Sequence, residues 1–240
     1  MSALGDDYKG ACSISTVAFP DGGMEILMTR LDATPEALAA LAACLSDAER
    51  QRARRYHLEV PRRRFVVARA WLRRLLGARL DVQPAAVALT YGRNGKPALA
   101  PRFAAAGWRF NVSHCGELAI CAISRGREVG VDVEEVRALE GADDIAARFF
   151  ARGENQAYRA LAPEDRPLGF FNCWTRKEAF VKALGVGLSL SLQRFEVSLA
   201  PGEPARLVRL DRTLGERSAW QIAGFSPLPG FVAAIACHPL

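Results

Sequence analysis

The chain has 240 residues, 50% apolar and 24% charged, with a formal net charge of +6. That length suits one domain or two similar halves, and no apolar run approaches the ~20 residues of a membrane span. Six cysteines without a CxxC or zinc-type spacing, and only three histidines, argue against a disulfide framework and a His-rich metal centre.

The start of the chain lacks the basic-then-apolar order of a signal peptide, so the expected location is cytoplasmic, with free thiols. Residues 1–22, weakly patterned and rich in Gly and Ser, read as a loose N-terminal lead-in. Between Arg50 and Arg79 stand eleven arginines and one acid, Glu59. SDAERQRARRY has helix composition, with Ser46 as N-cap and Glu49 three residues on. Pro61 interrupts. A second helix then carries Phe65, Ala68, Leu72, Leu75 and Leu76 on an apolar stripe that belongs to a core. Three readings of the opposite, arginine-rich face stay open. It is a solvated face, a nucleic-acid footprint, or a site for a multiply phosphorylated small molecule. No helix-turn-helix, RRM or zinc-finger pattern supports nucleic acid.

Val87 to Tyr91 reads as a strand, and the RNG-KP sequence after it as a turn carrying Lys96. WRFNVS and LAICAIS follow as two strands joined by HCGE. The join presents His114, beside Ser113, at a strand end, where an imidazole is either solvated or offered to a phosphate. EVGVDVEEV is a third strand. Its alternation sends Val131 and Val133 into the core and puts Asp132 and Glu134 on one face, about 7 Å apart. Such a pair is an exposed edge or a set of hard-oxygen ligands for Mg²⁺.

One helix is expected over 143–161, with Phe149, Phe150 and Tyr158 in the core. Pro163 and Pro167 bound the loop before the next helix, which carries Trp174, Glu178 and Lys182 on one face and ends at Gly185 and Gly187. An acid and a base one turn apart are ordinarily a surface pair worth a few tenths of a kcal/mol. The upstream acids Asp132 and Glu134 favour a shared site instead. RFEVSLA, ARLVRL, AWQIAGF and FVAAIACH read as strands of a meander. The fold class is α+β. Two similar halves, 23–126 and 127–240, each pack a small antiparallel sheet with a helix and place the active site at their interface.

Four stretches stand in order and at matching spacing: GKPAL (95–99), FNVSH (110–114), VGVDVEE (129–135) and WTRKEAFVKALGVGLSLS (174–191). Together with ARRYHLEVPRRR, this set resembles the 4′-phosphopantetheinyl transferases of the surfactin-synthetase-activating (Sfp-like) type, in particular the W/KEA subgroup. The resemblance implies transfer of the phosphopantetheine arm of coenzyme A to a serine hydroxyl of an acyl or peptidyl carrier protein. Adenosine 3′,5′-bisphosphate is released, and Mg²⁺, or Mn²⁺ in its place, is the cofactor.

Carried over by position, Asp132, Glu134 and Glu178 match the metal-binding acids and Lys182 the pyrophosphate lysine. Ser113 and His114 match a phosphate-binding pair, Lys96 the lysine of the GKP turn, and Arg52 and Arg64 the 3′-phosphate ligands. Glu49 departs from the pattern, falling where the best-known members carry a lysine. The resemblance gives Glu178 the serine proton to accept. It implies no nucleic-acid or membrane partner, and two halves in one chain suffice for a monomer. Two other readings of the charges stand beside it, a metal-dependent phosphoesterase or nuclease and a non-catalytic nucleic-acid binder.

Overall fold

The arginine-rich stretch forms helices where its local chemistry says it should. Ser46 and Glu49 close a reciprocal capping box on α2 (Asp47–Arg54). Helix α3 (Glu59–Leu80) holds Pro61 within its first turn, where a missing N–H costs nothing, so the interruption falls at 55–58 and not at the proline itself. The computed structural model describes residues 13–15, 24–92, 95–187 and 190–239. Cys12, Arg93, Asn94, Leu188, Ser189 and most of the expected lead-in lie outside those residues.

Strands β1 (Ser13–Ser15), β2 (Met24–Arg30), β5 (Trp108–Cys115) and β6 (Leu118–Arg125) make an antiparallel sheet in the order β1-β2-β6-β5. Helices α1 (Pro35–Ala42) and α3 cover one face, and the hairpin of β3 (Leu89–Tyr91) and β4 (Pro97–Leu99) stands apart. The buried stripe of α3 is wider than the expected one. Val66, Val67, Ala70 and Trp71 join Leu72, Leu75 and Leu76 in the core, while Phe65 and Ala68 are only half-buried.

Gly126 alone separates β6 from β7 (Arg127–Glu135), and its φ of 69° lets the chain reverse where a side chain would strain it. The expected helix over 143–161 is in fact two, α4 (Ala142–Phe149) and α5 (Arg152–Ala160). Phe150 turns extended, the Glu154 carboxylate accepts the Ala151 N–H, and the Asn155 amide donates to the Ala146 and Phe150 carbonyls. Local side-chain bonds therefore outcompete helix continuation.

Helix α6 (Arg166–Leu184) ends at Gly185, whose φ is 72°. The four late strands do not form one meander. β8 (Phe195–Val197) and β9 (Leu207–Leu210) pair only with each other. β10 (Gln221–Phe225) and β11 (Phe231–Pro239) join β7 in the order β10-β11-β7. Here β11 is a long strand that pairs along both edges.

Alternation on the central strands builds three cores from two sheets. On β6, Ala119, Cys121 and Ile123 face α3, whereas Leu118, Ile120 and Ala122 face the other sheet. On β11, Val232, Ala234 and Ala236 face α6, and Ala233, Ile235 and Cys237 meet Val129, Val131 and Val133 of β7 in the middle core. The architecture is α+β, with a helix on each outer face and the two sheets packed between.

Candidate active site

The strand carrying Asp132 and the helix carrying Glu178 approach as closely as backbones allow. A Cβ on Gly130 would lie 2.9 Å from the Lys182 carbonyl carbon, and closer still to the Ala179 oxygen and the Ala183 nitrogen. Only glycine fits there. Asn111 of β5 accepts the Val131 N–H at 2.8 Å, holding β5 against β7 from the other side. Three elements thus converge on one small volume.

In that volume the Lys182 ammonium donates to Asp132 Oδ1 at 2.6 Å, to Ser113 Oγ at 3.1 Å and to the Val131 carbonyl at 3.2 Å. The Ser113 hydroxyl donates to the same Asp132 oxygen at 2.8 Å. Asp132 Oδ2 and Glu178 Oε1 are buried and without a hydrogen-bond partner. Burial raises the Glu178 carboxyl above its ordinary range, and the Asp132 charge pushes the same way, partly relieved by Lys182. Glu134 is raised as well, first by burial and then by Asp132, with Cys115, Arg137 and Lys182 opposing. The acids expected to meet are therefore within electrostatic reach of one another.

Among the described residues, no three His, Cys, Asp or Glu side chains stand close enough to ligate an ion as they are. Like-charge repulsion and the Lys182 bond explain that spacing. The chemistry of the donor set still suits a hard divalent cation. Two orphaned carboxylate oxygens in a half-buried site lack a partner, and a buried polar atom without one is costly.

A second feature lies across β5. A cavity of about 390 Å³ is lined by Arg52, Arg64, Arg69 and His114, with Tyr56, Phe65 and Pro97 among its walls. The Arg52 guanidinium lies over the Phe65 ring at 5.1 Å, and Arg69 lies between the Phe65 and Tyr91 rings. Burial lowers the His114 imidazole below its usual value, with Lys182, Arg69 and Arg64 adding to the shift, so all three cations bear on this one ring. Arginines and an imidazole on one wall make this cavity's lining complementary to an anionic group such as a phosphate.

Asp132, Lys182 and Ser113 bond to one another in one place, with Glu134 and Glu178 within electrostatic reach of Asp132, and Arg52, Arg64 and His114 line the other. Lys96 behaves differently. Its ammonium donates to the Lys182 carbonyl at 2.6 Å and the Val129 carbonyl at 3.2 Å, and burial lowers its pKa. It fastens the last turn of α6 to β7. Glu49 makes a buried ion pair with Arg73 at 2.5 Å and so holds α2 on α3. His114 lies within β5, which runs two residues beyond the expected WRFNVS.

Sequence reasoning missed Arg69 and Cys115. Arg69 lies one turn beyond Phe65 on α3, so helical spacing held its signal, and it lines the cavity with Arg64 of the same helix and Arg52 of α2. Cys115, whose Sγ is 3.4 Å from Glu134 Oε2, is two residues from Ser113 on the same strand face.

A family model described as the 4′-phosphopantetheinyl transferase superfamily matches residues 128–236 of this chain. A second, described as 4′-phosphopantetheinyl transferase, N-terminal, matches residues 30–125. The 4′-phosphopantetheinyl transferase HetI of Nostoc sp. is 39% identical over 206 residues, 86% of this chain and 84% of its own. The 4′-phosphopantetheinyl transferase Sfp of Bacillus subtilis is 27% identical over 196 residues, 81% and 83% of the two chains. Among solved structures, the holo-(acyl-carrier-protein) synthase (AcpS) of Thermotoga maritima aligns with a TM-score of 0.37 at 24% identity, over 47% of this chain and 62% of that one.

Proposed function

The chain belongs to the 4′-phosphopantetheinyl transferase superfamily, and from that premise we propose how its residues divide the work. It is an enzyme, and it transfers the 4′-phosphopantetheine group to carrier proteins. We take coenzyme A as the donor and a serine hydroxyl of an apo acyl or peptidyl carrier protein as the acceptor. The serine oxygen bonds to the β-phosphorus, the bond from that phosphorus to the bridging oxygen breaks, and adenosine 3′,5′-bisphosphate leaves.

The arginine-lined cavity is the donor's place. Arg52, Arg64 and Arg69 face the 3′-phosphate, and His114 and Lys182 the pyrophosphate, with Ser113 holding Lys182 in position. Phosphoryl transfer asks the protein chiefly to position reactants and offset charge, and this lining does both. Asp132, Glu134 and Glu178 are assigned to Mg²⁺, which Mn²⁺ replaces. A bound divalent cation supplies charge compensation for the pyrophosphate oxygens.

Glu178 also accepts the serine proton, directly or through water. Lys96 is assigned to securing α6, because its ammonium already has other partners. We propose halves divided at Gly126, where the two family matches meet, and a monomer acting in the cytoplasm without a nucleic-acid or membrane partner. No helix among the described residues is long and apolar enough to cross a membrane.

The observation that carries the site assignment is the pair of buried, unpartnered oxygens, Asp132 Oδ2 and Glu178 Oε1, beside Lys182. Mass spectrometry of apo-carriers incubated with enzyme, coenzyme A and Mg²⁺ tests it. The parent chain adds the arm's mass, whereas folded Asp132→Ala and Glu178→Ala do not. Undiminished loading by both variants rejects the assignment.

A further inference from the structure

Each half presents a strand at the edge of its sheet, β5 in one and β7 in the other, and the two edges lie side by side. Among the described residues no main-chain hydrogen bond joins these two strands. Side chains join them instead, from every second residue of β5. Arg109 donates to the Glu128 carboxylate at 2.9 Å, and Asn111 accepts the Val131 N–H at 2.8 Å. Ser113 donates to Asp132 at 2.8 Å and the Cys115 thiol to Glu134 at 3.4 Å. Alternation puts all four on one face of β5, opposite the Phe110 and Val112 face that meets α3.

Asn111 differs from the other three in what it grips. They end on side chains, which can swing to another rotamer. Asn111 ends on the main chain, and because that partner is an N–H, the bonding atom is the carboxamide oxygen. The Val131 carbonyl is held as well, by the Lys182 ammonium at 3.2 Å. The residue before Asp132 is thus fixed at its donor and at its acceptor, from two different elements. Asn111 is 4% exposed and Val131 0%, so bulk water does not stand ready to replace the bond.

We propose that Asn111 is a positioning residue for the transfer reaction. It sets the register of β7 against β5, and so fixes where the Asp132 carboxylate stands relative to Ser113 and to the donor cavity. This rests on the assignment of Asp132 to the divalent cation and of the cavity to coenzyme A. Without the bond β7 still pairs with β11, so Asp132 keeps its place in the sheet. Its carboxylate, however, is no longer held at one distance from the strand that carries His114. The cavity itself, with Arg52 on α2, Arg64 and Arg69 on α3 and Pro97 on β4, does not use the bond.

Asn111→Leu keeps the volume and removes the acceptor, and Asn111→Asp keeps an acceptor oxygen there. Leu41→Ala, in the core beneath α1 and away from both sites, is the control for lost stability alone. Three readouts are compared: hydrogen exchange of the Val131 amide, the Mg²⁺ concentration that half-saturates the rise in melting temperature, and coenzyme A affinity in chelator. In Asn111→Leu the amide should exchange faster, and half-saturation should need about tenfold more Mg²⁺. Coenzyme A affinity should stay within about twofold of the parent, as for an independent site. Asn111→Asp should move the first two readouts back toward the parent, and Leu41→Ala should leave Mg²⁺ half-saturation unchanged. Asn111→Ser, whose hydroxyl is too short to reach, is read in the same way should the leucine variant not fold. If the variants lose stability yet take Mg²⁺ as the parent does, or if Leu41→Ala shifts Mg²⁺ as far, the bond only holds the halves together. The proposal is then wrong while the acid assignment stands. If Mg²⁺ does not raise the melting temperature of the parent chain, both are overturned.

Discussion

At the scale of single residues, the acid cluster is a place where the fold tolerates repulsion. The carboxyls of Glu134 and Glu178 are both raised above their usual 4.5 by burial and by Asp132. The folded chain therefore holds these protons to higher pH than the unfolded chain does. Their contribution to stability is full below the ordinary carboxylate range and is lost as pH rises through the raised values. Glu178→Gln removes one charge. In chelator at pH 7 it should melt higher than the parent, by about 2–4 °C for each kcal/mol relieved, and the gap should close as pH falls toward 4.5. The same variant should lose the Mg²⁺-induced stabilisation. Equal melting temperatures across the whole pH range would mean that the carboxylate carries no strain.

Much of this was legible in the sequence, because strand alternation fixes that Asp132 and Glu134 share a face and helical spacing fixes that Glu178 and Lys182 do. Periodicity does not say where a side chain finds its partner in another element. That is why Lys96, which reads as a turn lysine, proves to hold a helix end, and why Cys115 went unnoticed.

At the scale of elements, α6 is held in place from two sides. Against β7 it needs Gly130. Gly130→Ala drives a methyl into backbone atoms that have no rotamer to yield, so the cost should reach the upper part of the roughly 1–3 kcal/mol range for overpacking. It should also weaken Mg²⁺ binding, since Asp132 and Glu178 are set by that packing. Urea unfolding and Mg²⁺ thermal shifts measure both effects, and a variant with parental stability would show that the helix shifts freely.

On its other side, Lys177 is 0% exposed. It pairs with Glu154 of α5 at 2.7 Å and donates to the Leu192 and Phe195 carbonyls. Removing one member of a buried pair strands the other, so Lys177→Met should cost about 3–5 kcal/mol. Adding Glu154→Gln should cost less than the sum of the two single changes, a coupling that a double-mutant cycle resolves. The KEA triplet was legible as a motif, but nothing in it marks its lysine as structural and its glutamate as exposed to the site. The split of α4 from α5 escaped for a related reason. It turns on Glu154 and Asn155 bonding locally, and apolar periodicity runs on through the break.

At the scale of the whole molecule, the sequence contained the two halves as an order of elements but not the core between them. Ile120 of β6 and Ile235 of β11 read equally well as residues packed against their own helices. Only the register of each strand turns them inward to meet. A core shared in this way makes each half depend on the other, because separating the sheets would expose Ile26, Ile120, Val131 and Ile235 together. Burial of such side chains is worth about 1.5–3 kcal/mol each, a sum comparable to the whole stability of a domain.

The halves should therefore unfold as one unit. Trp71 and Trp108 report on the first, and Trp174 and Trp220 on the second. Variants keeping the tryptophans of one half only, compared at equal denaturant, should give coincident midpoints and slopes. Ile235→Ala should lower both midpoints together, at a cost of about 2–5 kcal/mol. Midpoints that separate in the parent chain, or that respond to Ile235→Ala in the second half only, would mean that the middle core does not couple them. The acid site on β7 and α6 would then keep its place while the arginine cavity on α3 drifted away from it.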